Sequence, residues 1–303
     1  MPTYAKYPVP HLLGKVNYQG HPRLRPDGDT VHLFDPILLL DGHAVQPKDG
    51  SFPVWVPGNS KPRIIRLRGK PGNYYAPIRF EGIDAPEEHY RATPFKLKIN
   101  GQTVQFPFDP AKDHGERSQP LWSPATQFAI STLEKAGWGL VELDREVIDS
   151  HQRVLGYVYA SNSHGARKTY VSLELVRRGL AFPFLYESAG DRISPFLDAA
   201  THARQQKLGV WKNYRKTPLP FAQSFPAPKN HTAPESAQQK KAALNLPVVF
   251  RRVVDSYQLK GLSLKQALRK YDAINYETGA LLPGDQYDKI PIESLIWAPH
   301  SYK

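Results

Sequence analysis

Polar and apolar residues alternate with a period of two in several short bursts of the chain, each bounded by Gly, Pro, Asn or Asp, and that spacing predicts strands. The first burst, DTVHLF at 29–34, is entered through the turn Arg25-Pro26-Asp27-Gly28. Residues 41–77 then become rich in Gly and Pro. Within them RIIRLRG at 63–69 reads as a further strand carrying Arg63, Arg66 and Arg68, and the remainder as an elaborate loop. A strand at 78–83, IRFEGI, runs into Asp84-Ala85-Pro86-Glu87. FKLKINGQTVQFPF at 95–108 predicts a β-hairpin, because Asn100-Gly101 supplies the positive φ angles of a tight turn. Phe95, Leu97 and Ile99 alternate before that turn, as Val104, Phe106 and Phe108 do after it. The apolar side of the hairpin either packs on the body of the protein or covers a nearby cleft.

The period then shifts to that of a helix. The pattern starts at Ser123 with Pro124 in the first helical position, buries Phe128, Ala129 and Leu133, and stops near Gly137. Strands over 139–148 and 153–160 follow, joined by the polar turn Asp149-Ser150-His151-Gln152. A short helix at 172–178 closes at Gly179; a longer one starts at Ser194-Pro195, presents Phe196, Leu197, Ala200 and Leu208, and ends at Gly209. Strands, a helix, strands and then helices make an α+β order, not the regular alternation of a parallel sheet. The main body covers 22–212, behind an N-terminal segment at 1–21. Spaced prolines and small polar residues make 213–243 a linker, and 244–303 reads as a small, mainly helical accessory module with its helical pattern broken at Gly261.

A chain of 303 residues that is 40% hydrophobic has enough apolar surface for a substantial core. Its formal net charge of +12 favours polyanionic partners, nucleic acid ahead of an anionic membrane. The absence of cysteine excludes disulfides and thiolate metal sites, which leaves any metal to oxygen or imidazole ligands. The eleven histidines show no paired spacing of the zinc-binding kind. PILLL at 36–40 is far too short to span a bilayer, and the first residues lack a cationic region followed by a long apolar run. The expectation is a soluble, cytoplasmic protein with no membrane partner, an exported form staying compatible with the sequence.

Candidate chemistry gathers where the 78–83 strand ends. Period two puts Ile78, Phe80 and Gly82 on one face and Arg79, Glu81 and Ile83 on the other. Pro86 pushes Ala85 toward an extended conformation, and the turn beyond can bring Glu87 back so that Asp84 and Glu87 flank one pocket. Read alone, the segment equally fits Asp84 capping a turn, Glu87 and Glu88 in a first helical turn, and Arg79 paired with one of these acids. Asp29 begins the first strand. Beside the end of the 78–83 strand it would face Asp84, a costly arrangement unless a proton or a cation lies between them, and Ca²⁺ suits such oxygen ligands. Arg153 opens the strand after the polar turn, where a surface ion pair is the commonest fate of such a residue.

Taken in chain order, DGDTVHLF, IRFEGIDAPE, RVLGYVYA, LVRRGLAFPF and ARQQKLGVW resemble the motifs of the staphylococcal nuclease family across about residues 22–212. The resemblance implies an OB-type five-stranded β-barrel with three helices, to which this chain adds its C-terminal extension. It also implies roles. Asp29 and Asp84 match the carboxylates that hold Ca²⁺, with the Ala85 carbonyl as a further ligand; Glu87 matches the glutamate that activates or positions the attacking water; Arg79 and Arg153 match the arginines that grip the scissile phosphate. The implied activity is calcium-dependent endonucleolytic cleavage of DNA or RNA.

Two positions depart from the family pattern. Where a lysine and a tyrosine commonly hold the terminal phosphate of a nucleotide, this chain has Ser150 and His151; where two tyrosines surround the base, it has Phe184 and Tyr186. His151, Phe184 and Tyr186 are therefore the nucleotide-binding candidates. The alternative is a noncatalytic OB-fold module that binds nucleic acid or protein, against which stands the retention of Asp29, Asp84, Glu87 and both arginines. The 244–303 module is a candidate for docking a protein partner or for packing back on the body.

Overall fold

Five strands close on themselves: β1 (His11–Lys15), β2 (Thr30–Leu40), β3 (Asn73–Phe80), β4 (Trp138–Ile148) and β5 (Val154–Ser161). β1 pairs with β2 and β4, β2 with β3, and β4 with β5, all antiparallel; a parallel pairing of β3 with β5 shuts the ring. The result is a mixed barrel of the OB type. This computed structural model describes residues 9–18, 24, 26–55, 60–185, 187–215, 218–229 and 233–268, with short pieces at 273–275, 278, 280–282, 286 and 295–297. Residues 1–82 and 126–175 make up the unit that holds the barrel; residues 83–125 and 176–303 make up a second unit.

In the barrel unit, Leu12, Val31, Leu33, Ile78, Val141 and Val158 are fully buried, together with Ala129 and Leu133 of α1 (Trp122–Ala136). Phe128, expected inside, is only half-buried. β5 is buried along its whole length, as its near-continuous apolar run requires. It carries Gly156 because β4 passes too close for a side chain: a Cβ there would lie 2.4 Å from Val141 Cγ1 and 2.5 Å from the Glu142 carbonyl oxygen. β1 lies within the N-terminal segment set apart from the body; HLLGK is too short to display a period of its own. The 78–83 strand is in fact two, since β3 stops at Phe80 and a new strand, Gly82–Asp84, starts after a turn in which Gly82 takes a φ of 84°. The 41–77 insert is more ordered than its Gly and Pro content suggests. Ser51–Val54 pairs with Arg63–Arg66 over the buried Phe52 and Ile65, and Arg68–Lys70 adds to the sheet beside β3.

In the second unit the hairpin forms as expected, Phe95–Ile99 against Gln102–Phe106, with Asn100 and Gly101 at φ 51° and 80°. Helices here, after α2 (Val171–Arg177), are α3 (Ile193–Gln205), α4 (Val210–Asn213), α5 (Ala237–Lys241), α6 (Pro247–Gln258) and α7 (Leu264–Leu268). Leu208, expected on the face of the long helix, falls beyond its end and is exposed. The apolar side of the hairpin joins α6 and α7: Ala92, Phe106, Phe250, Val254, Leu259, Leu262 and Ala267 form one buried cluster. The 244–268 segment is thus built into this unit's core. The 213–243 stretch, linker-like in composition, is pinned as well. Phe225–Pro226 pairs with Arg117–Ser118, and Phe221 stacks on Tyr257 with ring centroids 3.9 Å apart. Near the C-terminus Ala273–Asn275 pairs with Leu281–Leu282 and with Leu295–Trp297.

Candidate active site

Where β2 begins and β3 ends, backbone pairing sets Thr30 opposite Arg79, and the Phe80 N–H donates to the Asp29 carbonyl at 2.8 Å. Asp29 is buried, with Arg79 forming an ion pair to its carboxylate and the Thr30 hydroxyl donating to Oδ1 at 3.1 Å. β5 flanks the other side of β3, with Leu155 opposite Arg79 and Arg153 just before the strand starts. Arg153 Nη1 donates to Thr30 Oγ1 at 3.1 Å, so one hydroxyl links the second arginine to the aspartate. The turn ahead of β5 is organised by Asp149. Its Oδ2 accepts from Arg153 Nε at 2.7 Å, and its Oδ1 accepts the backbone N–H groups of His151 and Arg153 at 2.8 and 2.9 Å. Gln152 completes the turn at φ 60°. Arg68 of the insert donates to the His151 carbonyl at 3.1 Å. Arg79 and Arg153 therefore come together, each aimed by a carboxylate in charge-assisted geometry.

The second unit starts within the Gly82–Asp84 strand, which pairs with Phe182–Phe184, the strand that carries the half-buried Phe184. Asp84, Ala85 and Glu87 are all buried. The backbone at Glu87 is clamped by Gln119: Glu87 N–H donates to its Oε1 at 3.1 Å and its own N–H donates to the Glu87 carbonyl at 2.8 Å. The two acids share one guanidinium. Arg251 of α6 places Nη2 3.0 Å from Asp84 Oδ2 and Nη1 3.1 Å from Asp84 Oδ1, and the same Nη1 donates to Glu87 Oε1. The Val248 N–H, in the first turn of α6, donates to Asp84 Oδ2 at 3.1 Å.

Asp84 and Glu87 come together within this unit on Arg251, an arginine that the sequence reading did not name. Arg79 pairs with Asp29. Thr30, Asp149, Gln119 and Arg251 were all missed. A signal for the last existed: VVFRRVV places two arginines inside an apolar helix, and charges that far into a core need acids. Arg252, buried beside Arg251, pairs with Asp255. Tyr186 lies outside the described residues, and His151 enters the geometry through its backbone.

Oxygen ligands of the kind Ca²⁺ takes are present, but as seated they do not fit a bound cation. Both oxygens of Asp84 already accept hydrogen bonds from Arg251, and Asp29 is paired with Arg79. Among the described residues no three His, Asp or Glu side chains come together as a metal-binding group.

Residues 77–213, somewhat less than half of the chain, match the family model described as Staphylococcal nuclease homologue. This chain carries a staphylococcal nuclease-like domain. The match takes in Arg79, Asp84, Ala85, Glu87, His151, Arg153, Phe184 and Tyr186. It begins after β1 and β2, so Asp29 is tied to the nuclease-like domain by the pairing of β2 with β3. No curated protein matches the chain. Among the described residues no helix is long and apolar enough to cross a membrane.

Proposed function

We propose that this chain is an endonuclease that hydrolyses phosphodiester bonds of DNA or RNA. The observation that carries the reading is the pair Arg79 and Arg153, held at one end of the barrel by Asp29, Thr30 and Asp149. A phosphodiester repels nucleophiles, and its transition state gathers charge on the phosphoryl oxygens; two preorganised guanidiniums offer planar paired donors that match those oxygens. Glu87 takes the proton of the attacking water, which a carboxylate does only when ionised. Polyanion binding is supported by the insert as well. No acidic residue occurs between Gly50 and Phe80, while Lys61, Arg63, Arg66, Arg68 and Lys70 are exposed there.

The second reading is a noncatalytic nucleic-acid-binding barrel, favoured by the guanidinium that covers Asp84 and Glu87. Incubation of the purified chain with single- and double-stranded DNA and RNA, in Ca²⁺ or in chelator, separates the two. Fragments support the nuclease and intact substrates the binder. Glu87→Gln should nearly abolish cutting while the protein stays folded; cutting by that variant at the parent rate removes Glu87 from its assigned role.

A further inference from the structure

Tryptophan is highly buried on average, yet Trp55 stands 65% exposed. Among the described residues of 50–80 it is the one large apolar side chain so placed. It directly follows Ser51–Val54, whose pairing with Arg63–Arg66 sets Arg63 opposite Val54 and Arg66 opposite Ser51. Phe52 and Ile65, also paired, are buried; Arg63 and Arg66 are exposed, about 10 Å apart along their strand. No carboxylate of the segment answers them, because residues 51–80 contain neither Asp nor Glu. We propose that this ribbon is an accessory docking surface for single-stranded nucleic acid: an unpaired base stacks on Trp55 while Arg63 and Arg66 hold phosphates on either side. The ribbon lies ahead of the 77–213 match, so the family likeness says nothing of it. As a statement about which form of substrate is cut, the proposal rests on the nuclease reading; the docking itself needs no cleavage.

The aromatic ring is what selects the single strand. Arginines alone attract any polyanion, in a salt-dependent way that carries little discrimination. A tryptophan standing out from a surface stacks only on a base whose face is free, and in a duplex both faces are covered by neighbouring base pairs. An anionic membrane fits less well, since insertion among headgroups takes a broad apolar face and the segment exposes one large apolar side chain. Position supports the same partner. The Leu67 N–H donates to the Gly50 carbonyl at 2.8 Å and closes the ribbon, after which Arg68–Lys70 joins the sheet beside β3, the strand that carries Arg79. Arg68 then donates to the His151 carbonyl at 3.1 Å, in the turn that leads to Arg153. A strand held on Trp55 is thus led by a continuous basic edge toward the two arginines at the end of the barrel.

The test measures docking in chelator, apart from cleavage. Full-length parent, Trp55→Ala, Trp55→Phe and the double variant Arg63→Gln/Arg66→Gln are titrated by fluorescence anisotropy against labelled oligo(dT), oligo(U) and a DNA duplex of equal length, and by sedimentation against phosphatidylserine vesicles. Trp55→Ala should weaken single-strand binding about five- to 150-fold, the loss that goes with one stacked base, while Trp55→Phe keeps most of the affinity. Duplex binding should change far less. Arg63→Gln/Arg66→Gln should lower the slope of log K against log salt by about 1.4, at about 0.7 for each phosphate contact on a single strand. Lys96→Gln/Lys98→Gln, which takes two exposed charges from the hairpin, should leave that slope unaltered. Thermal melts check folding, and the arginine variant decides the matter if Trp55→Ala does not fold. Single-strand affinity of Trp55→Ala within about twofold of the parent overturns the proposal. So does an equal loss on duplex, or capture by vesicles in preference to either nucleic acid. Trp55-dependent docking by a protein that cuts nothing would keep the surface and remove the nuclease; cleavage by Trp55→Ala at the parent kcat/KM with unaltered affinity would do the reverse.

Discussion

Replacing Asp149 by Asn asks whether the turn ahead of β5 aims an arginine at the phosphate. The carboxylate accepts three hydrogen bonds, from Arg153 Nε at 2.7 Å, the Arg153 N–H at 2.9 Å and the His151 N–H at 2.8 Å. Asparagine keeps an oxygen for the two backbone donors but turns an NH₂ toward Nε, donor against donor. One charge-assisted bond is lost, a contribution of about 1.5–3 kcal/mol. At about 1.4 kcal/mol per factor of ten, that is roughly 10- to 150-fold in kcat/KM if the bond acts through the transition state. The Arg153 side chain is 27% exposed, so solvent screening puts the expected loss toward the lower end of that range. Because the two backbone bonds survive, the fold should hold and kcat should fall with kcat/KM. Initial rates on a labelled oligonucleotide, below and above KM, give the split, and urea melts check that the variant is folded. A folded Asp149→Asn with kcat/KM within about twofold of the parent would refute the claim that this aspartate positions Arg153.

Two further outcomes concern stability. Gly156→Ala drives a methyl group to 2.5 Å from the Glu142 carbonyl oxygen, a ladder atom that cannot yield cheaply, and should cost about 1–3 kcal/mol in urea unfolding; an unchanged midpoint would mean that β4 and β5 separate freely. Burial raises the Glu235 carboxyl above its ordinary 4.5, against the lowering by the Leu121 N–H and Lys240. A carboxyl whose folded pKa is raised contributes its full stability below the unfolded value and loses it as pH climbs through the folded one. Glu235→Gln, which retains an acceptor for the Leu121 N–H, should therefore gain stability over the parent as pH rises from 4.5 to 7; a gain that shrinks over that interval contradicts the burial argument.

Period and punctuation made several elements legible. Asn100-Gly101 marked the hairpin, Pro124 and Gly137 bracketed α1, and the run RVLGYVYA marked a strand with no exposed face. β1 escaped because five residues carry too little periodicity, and the break at Gly82 escaped because alternation continues across it while the backbone turns.

Residue order alone determined the barrel's motifs and the candidate set Asp29, Arg79, Asp84, Glu87 and Arg153, since these depend on neighbours a few positions apart. Only the tertiary structure decided what those side chains touch. Arg251 reaches Asp84 across 167 positions and Glu87 across 164. Arg153 reaches Thr30 across 123. Such contacts come from the packing of α6 and the closure of the barrel, which no local pattern encodes. A carboxylate in the sequence carries its charge with it, but the cation that answers it is chosen by the fold.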